Sequence, residues 1–142
     1  MKFYTGIGSR NTPEDILEIM SDLAFLLHKK GWTLRSGGAD GADLAFEEGV
    51  KRSLVDIDRF PYFYDANIYI PWKNFRVVDD LWKDMYIHVT NKDVLKNAED
   101  IASQIHPNWK ACSRGAKALH TRNIFQVIGH WYEPFPSKFV IS

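Results

Sequence analysis

The chain has 142 residues, with 18 basic and 18 acidic side chains and therefore no formal net charge. This length indicates one domain, residues 1–142, and the neutral balance argues against a strongly basic nucleic-acid binder, although a local basic patch stays possible. The single cysteine, Cys112, excludes an internal disulfide and leaves no cysteine-based zinc site. No signal peptide or membrane-spanning apolar run is found, so we expect a cytoplasmic protein without a membrane partner.

The first third of the chain predicts a strand, a helix and a second strand. Lys2–Gly6 is a buried strand. Thr12 is then expected to cap a helix, with Pro13 at its first position and Asp15 completing a capping box. Gly31 ends the helix, and Trp32–Arg35 forms the next strand. One apolar stripe of this helix is expected to face the core: Ile16, Ile19, Met20, Leu23 and Leu27.

The rest of the chain continues the alternation of helices and strands. The remaining predicted elements are a second helix that ends near Arg52, a strand Asn67–Ile70, a helical turn within Asp79–Asp84, helices Asp93–Ile105 and Ser113–Ile128, and a last strand Lys138–Ile141. Alternating elements of this kind predict an α/β protein, a three-layer Rossmann-like fold with a mostly parallel sheet. A ligand of such a fold binds beyond the carboxyl ends of the strands.

Two glycine-rich turns, each between a strand and a helix, are the main candidate site. The first helical N–H groups lack intrahelical partners and carry partial positive charge, and glycine lets a phosphate approach the backbone. Arg10 would add a bidentate phosphate contact, and Arg35 could do the same from its strand end. The alternative is that the glycines only form turns. The candidate ligand-binding residues of the turns are Gly6, Gly8, Ser9 and Arg10 in the first, and Ser36, Gly37, Gly38, Ala39, Asp40, Gly41 and Asp43 in the second.

Carboxylates near the second turn are candidates for catalysis. Asp40 and Asp43 could cap a helix, bind a ribose hydroxyl or a base edge, or act as a general base. Glu47 lies four residues after Asp43 on the same helix face, so the two could form an acid/base pair. A solvated helix face is the alternative for Glu47.

Five residues later in the chain complete the candidate site. Pro71 and Trp72 follow the third strand, where the indole could stack on a base. His120 and Asn123 lie three apart on one helix face and could meet a ligand together with Arg122. The His120–Asn123 spacing does not by itself make a metal site, so we predict no metal and no cofactor.

Several of these motifs are similar to those of a known superfamily. The runs Gly6–Arg10 with Thr12-Pro13, and Ser36–Asp43, resemble the Rossmann core of the DNA processing protein A (DprA/Smf), and more broadly the SLOG superfamily. Ile70-Pro71-Trp72, His106-Pro107 and His120–Asn123 resemble small phage and bacterial members of that group. The resemblance implies that the turns bind a nucleotide or nucleic-acid phosphate, often in a homodimer.

The chain departs in two respects from the superfamily that it resembles, which also holds the lysine-decarboxylase-like phosphoribohydrolases. Those enzymes carry Pro-Gly-Gly-x-Gly-Thr and a catalytic Glu, whereas here Ser36 replaces the proline and residues 39–42 do not match. Larger members continue past the last strand into another glycine turn, so we expect that part of the pocket to be absent or supplied by another subunit.

Three functional hypotheses follow from the motifs. The first is a sensor or sequestering module for a nucleotide or nucleotide-derived signal, which a phage could encode and which would then work in the host cytoplasm. The second is an N-glycoside hydrolase for nucleoside monophosphates with Asp43 or Glu47 as acid/base. The third is a mediator that binds single-stranded DNA. A homodimer or higher homo-oligomer is expected in each case.

Overall fold

A computed structural model describes all residues, 1–142, and shows a five-stranded, all-parallel sheet flanked by helices. The strands are β1 Lys2–Gly6, β2 Trp32–Ser36, β3 Ala66–Tyr69, β4 Tyr86–Ile87 and β5 Val140–Ile141. The helices are α1 Glu14–Lys29, α2 Ala42–Asp56, α3 Lys92–Ile105 and α4 Arg114–Ile128, with short 3-10 turns at Asp80–Met85 and Trp109–Ala111. The predicted α/β three-layer fold is confirmed.

The strand order β4-β3-β2-β1-β5 fixes where the loops meet. The chain moves from β1 to β4 in one direction across the sheet and then returns to place β5 on the other side of β1. Such a reversal opens a crevice at the carboxyl end of the strand where it occurs. The loop after β1 lies at this reversal, and the loop after β2 lies beside it.

Side chains alternate between the two faces of the sheet, and each face has its own hydrophobic core. Tyr4, Leu34 and Ile68 point to one face of the sheet and pack with Phe46 and other residues of α1 and α2. On the other face, a smaller cluster joins Tyr69 to α3 and α4: Val89, Val94, Ala98 and Phe125. The two clusters account for the three layers.

The expected core stripe of α1 is partly wrong. Ile16, Ile19 and Leu23 are exposed, Ile19 by 54 %, whereas Met20 and Ala24 are buried. The reason is the close approach of α2 at Gly49, where an added Cβ would lie 2.1 Å from the Ser21 carbonyl oxygen. The buried face of α1 therefore carries a small residue where α2 crosses, and the larger apolar residues beside it lie toward solvent.

Several element boundaries also differ from the sequence prediction. Thr12 does not cap α1: Pro13 occupies the cap position, and the Thr12 hydroxyl donates to the Ser9 carbonyl oxygen at 2.7 Å. Helix α2 continues to Asp56 rather than ending near Arg52, and the last strand is only Val140–Ile141. The two-residue edge strand β4, Tyr86–Ile87, is not among the elements that the sequence predicts. Helix α4 begins at Arg114 rather than at Ser113, and the Ser113 hydroxyl oxygen caps it by accepting from the Ala116 N–H at 3.1 Å.

None of the four helices has the length and apolar character needed to cross a lipid bilayer.

Candidate functional site: two glycine loops and an adjoining cavity

Residues 6–10 are called the first loop and residues 36–43 the second loop. The loops follow β1 and β2, which are adjacent and parallel, so they lie at the same edge of the sheet. The Ala42 N–H donates to the Ser9 carbonyl oxygen at 3.2 Å, and the Ser36 hydroxyl donates to the Gly6 carbonyl oxygen at 2.6 Å. The two loops thus form one continuous backbone surface.

Glycine is required where the loops cross. Gly41 has φ +81°, and a Cβ there would lie 2.6 Å from both Arg10 Cα and the Ser9 carbonyl oxygen. These neighbours belong to the backbone and cannot rotate away. A side chain at Gly37 would lie 2.0 Å from Gln126 Nε2. Gly41 therefore allows the two loops to pack closely, and Gly37 allows the second loop to pack against α4. Glycines that only formed turns would not need such close neighbours.

The Asp43 carboxylate connects the two loops through hydrogen bonds to the backbone of both. It is buried and accepts from the Gly8 N–H at 3.3 Å and from the Ala39 N–H at 3.4 Å. Burial raises the pKa of Asp43, while the Ala39 N–H, the Arg122 guanidinium and the Gly8 N–H act in the opposite direction. Asp43 is therefore a positioning residue that holds the two loops in register, and it does not cap α2 with its own side chain.

Other loop amides have no partner within the protein. The N–H groups of Ser9, Arg10, Gly38, Asp40 and Gly41 donate to no carbonyl or side-chain acceptor. Backbone donors without an internal partner are satisfied by water or by a ligand. Together with the N-terminus of α2, they give this edge of the sheet the donors that an anion requires.

Two arginines add positive charge to the loops. Arg10 is exposed and makes no hydrogen bond or ion pair within the protein. Arg122 is buried and donates from Nη1 to the carbonyl oxygens of Gly37 and, at 3.2 Å, of Tyr69. Burial lowers the pKa of Arg122, Asp43 opposes this effect, and the nearby charge of Arg10 lowers the pKa further.

A cavity of about 420 Å³ opens beyond the carboxyl ends of β3 and β4, against α3 and α4, and Arg122 joins its wall to the second loop. Its wall includes Pro71, Arg122, Arg114 and Lys117, with Glu99 as the one acidic residue. This volume falls within the range of small-molecule sites, roughly 300–1,000 Å³. The excess of cations favours an anionic occupant.

Sequence reasoning missed Arg114 and Lys117, although a signal was present. Residues 114, 117, 118, 121, 122 and 125 all line the cavity, and their spacing marks one face of α4. Only Arg122 was singled out from that face. Helical periodicity, when it is applied to the polar residues of α4 as well as to the apolar ones, places Arg114 and Lys117 on the same face as Arg122.

Glu47 does not lie on a solvated helix face. It is fully buried; Lys51 Nζ donates to Oε2 at 2.9 Å, the Tyr86 hydroxyl donates to the same oxygen, and Oε1 has no hydrogen-bond partner. Arg76 Nη1 lies 4.0 Å from Oε1 and donates to the Gly38 carbonyl oxygen at 2.9 Å. Burial raises the pKa of the Tyr86 hydroxyl, and the negative charge of Glu47 raises it further. Glu47 is thus connected to the second loop through Arg76.

Arg35 is not a phosphate contact. Its side chain is fully buried on the α4 side of the sheet and donates to the carbonyl oxygens of Val127 at 3.0 Å and Phe135 at 2.6 Å. The guanidinium carbon also lies 3.9 Å from the centre of the Phe3 ring. The sequence interpretation is wrong because the period of two along β2 directs Arg35 into the layer beneath α4.

The other predicted residues divide between the site and its surroundings. Trp72 is exposed after β3 and packs edge-on against Phe75, outside the cavity wall. The His120 ring packs against His106, in the connection between α3 and α4, with centroids 4.6 Å apart. The Asn123 amide oxygen accepts from Arg122 Nε at 3.0 Å. Pro71 and Arg122 are therefore in the cavity wall, whereas His120, Asn123 and Trp72 are not.

Searches of protein-family models, curated proteins and solved structures found no match to this chain.

Proposed function

We propose that the protein binds a phosphate-bearing nucleotide, or a signal molecule derived from one, across the two loops. The observation that carries the proposal is the set of loop N–H groups without internal partners, which lies beside an unpaired Arg10. A phosphate offers several acceptor oxygens and negative charge, and so matches both features. The module acts as a sensor or sequestering protein for this ligand.

The adjoining cavity supports a ligand larger than phosphate alone. Arg122 contacts the second loop through Gly37 and also lines the cavity, so the two regions are continuous at this residue. With the phosphate on the loops, a sugar and base extend toward the cavity between α3 and α4. Arg114 and Lys117 would then donate hydrogen bonds to the sugar hydroxyls and to the carbonyl or ring-nitrogen acceptors of the base.

Arg10→Ala tests this proposal with little risk to folding, because Arg10 is exposed and makes no internal bond. A hydrogen bond to a charged group contributes about 1.5–3 kcal/mol, so we expect affinity to fall about 10- to 100-fold. The measurement is calorimetric titration with AMP, GMP, CMP and UMP in turn.

Arg52→Ala is the matched control. It removes the same charge from an exposed position on α2, where Arg52 pairs with Asp22 at 2.9 Å. Equal losses in both variants would mean that only net charge matters, and no binding of any of the four nucleotides by the wild type would contradict the proposal. Binding of oligonucleotides alone, with steep salt dependence, would instead favour the single-stranded DNA hypothesis.

A second candidate function, hydrolysis of an N-glycosidic bond, rests on Glu47. Its carboxylate is fully buried, and Oε1 has no hydrogen-bond partner, which is unusual in proteins and makes the group a candidate for a chemical role. If the protein is such a hydrolase, incubation with nucleoside monophosphates releases free base, and Glu47→Gln abolishes the release while leaving nucleotide affinity within about two-fold. Intact nucleotides after prolonged incubation with wild-type protein would remove this candidate.

A further inference from the structure

A cluster of three side chains between α3 and α4 lies apart from the glycine loops. His106 follows the end of α3, Cys112 follows the 3-10 turn Trp109–Ala111, and His120 lies on α4. One donor atom from each can be chosen such that all three lie within 4.8 Å of one another. Cys112 Sγ is 3.8 Å from the His106 ring nitrogens.

These separations are close to those of a metal site. With Zn–S near 2.3 Å and Zn–N near 2.0–2.1 Å, a tetrahedral ion holds its sulfur and nitrogen ligands about 3.5 Å apart. The Cys112–His106 separation is already close to this distance, and the other donor pairs must approach by no more than about 1.5 Å to close around an ion. Imidazole and thiolate together suit zinc, whereas calcium and magnesium prefer oxygen ligands.

The fold holds the three donors in place before any ion arrives. The His106 N–H donates to the Ala102 carbonyl oxygen at 2.9 Å, which fixes its backbone to the end of α3. The Cys112 N–H donates to the Trp109 carbonyl oxygen at 3.0 Å within the 3-10 turn. All three side chains are half-buried, so they are accessible to an ion without being fully solvated.

We propose that His106, Cys112 and His120 bind a zinc ion that ties the α3–α4 connection together. The Cys112 thiol loses its proton to the solvent as its sulfur bonds to Zn²⁺, and each imidazole contributes a nitrogen lone pair. At His106 Nδ1 the ion would replace the hydrogen bond from the Asn108 N–H, now 3.1 Å long. Three protein ligands leave the fourth position for a water molecule.

The sequence predicts no metal here, because neither a single cysteine nor the His120–Asn123 spacing makes a metal site. The zinc motifs that are recognised from the spacing of their cysteines contain at least two, and this chain has only Cys112. Only the return of the chain from α3 into α4 brings the three together. The inference does not depend on nucleotide binding by the loops.

Cobalt substitution tests the site directly. Cys112 is the only cysteine, so a thiolate-to-cobalt charge-transfer band on addition of Co²⁺ reports this residue alone. We expect the band to saturate at one ion per chain and to disappear when Zn²⁺ is added. We also expect Zn²⁺ to raise the midpoint of thermal unfolding of the wild type.

Variants distinguish a built site from chance binding at a surface thiol. His106→Ala and His120→Ala should each weaken Co²⁺ and Zn²⁺ binding by at least about 100-fold, since loss of an outer-shell partner alone costs up to that much. His88→Gln, an exposed histidine outside the cluster, is the control and should bind as the wild type does. Circular dichroism of the metal-free variants verifies that they fold.

Three results would overturn the proposal. They are the absence of a thiolate band in the wild type, a band that persists with unchanged affinity in His106→Ala and His120→Ala, and a stoichiometry of one ion per two chains. The last would indicate metal held between thiols of separate molecules.

Discussion

Gly41→Ala is expected to lower the free energy of unfolding by at least about 3 kcal/mol and to abolish nucleotide binding. A non-glycine residue in so rare a backbone conformation costs about 1–3 kcal/mol, and forcing atoms into a packed site costs a similar amount. Both costs apply here, because φ is +81° and the new Cβ would lie 2.6 Å from the backbone of Ser9 and Arg10. The loops must then separate, and the free N–H groups of the first loop move away from those of the second.

Gly31→Ala is the control that isolates backbone strain. Gly31 also has a positive φ, +87°, but a Cβ there would meet nothing within 4 Å. We expect a loss of only about 1 kcal/mol and unchanged nucleotide affinity. Urea unfolding and calorimetric titration of both variants provide the comparison. If Gly41→Ala were no less stable than Gly31→Ala, the close crossing of the loops would be wrong.

Arg35→Ala is expected to be the most destabilising change away from the loops. Truncating a large, fully buried side chain typically costs about 3–5 kcal/mol. Here the change also removes the hydrogen bonds to Val127 and Phe135 and the stacking on Phe3. Nucleotide affinity, measured on the folded fraction at low temperature, should stay within about two-fold of the wild type, because Arg35 lies beneath α4 and not at the loops.

Arg35→Met separates packing from charge. Methionine fills much of the same space, and it also removes a buried charge that has no carboxylate partner. We expect its stability to lie between those of the alanine variant and the wild type. A loss of nucleotide affinity with unchanged stability in either variant would instead support the phosphate contact that the sequence suggested.

The loops and the order of the elements could be predicted because their signals are local. A strand, a glycine-rich turn and a helix start each depend on residues that are close in the chain, and Ser36–Asp43 contains all three in succession. Parallel pairing of β1 with β2 then follows from the intervening helix, and it places the two loops side by side.

The environment of the charged residues could not be predicted, because their partners are distant in sequence. From the sequence, Glu47 is one more polar residue on α2. In the fold it contacts Arg76 and Tyr86, which follow it by 29 and 39 positions in the chain. Arg35 is separated from Phe135 by 100 positions. Pattern reasoning treats a lone charge as exposed, and here tertiary packing decides otherwise.

The most direct test is a nitrogen-15 amide spectrum of the protein titrated with inorganic phosphate and then with the four nucleoside monophosphates. The account predicts that the amide signals of both loops, those of Ser9, Arg10, Gly38, Asp40 and Gly41, shift together with a single dissociation constant. It also predicts that a nucleotide, but not phosphate, moves signals of the cavity residues on α4. Shifts confined to one loop, or none in either loop at saturating nucleotide, would contradict a phosphate site made jointly by the two loops.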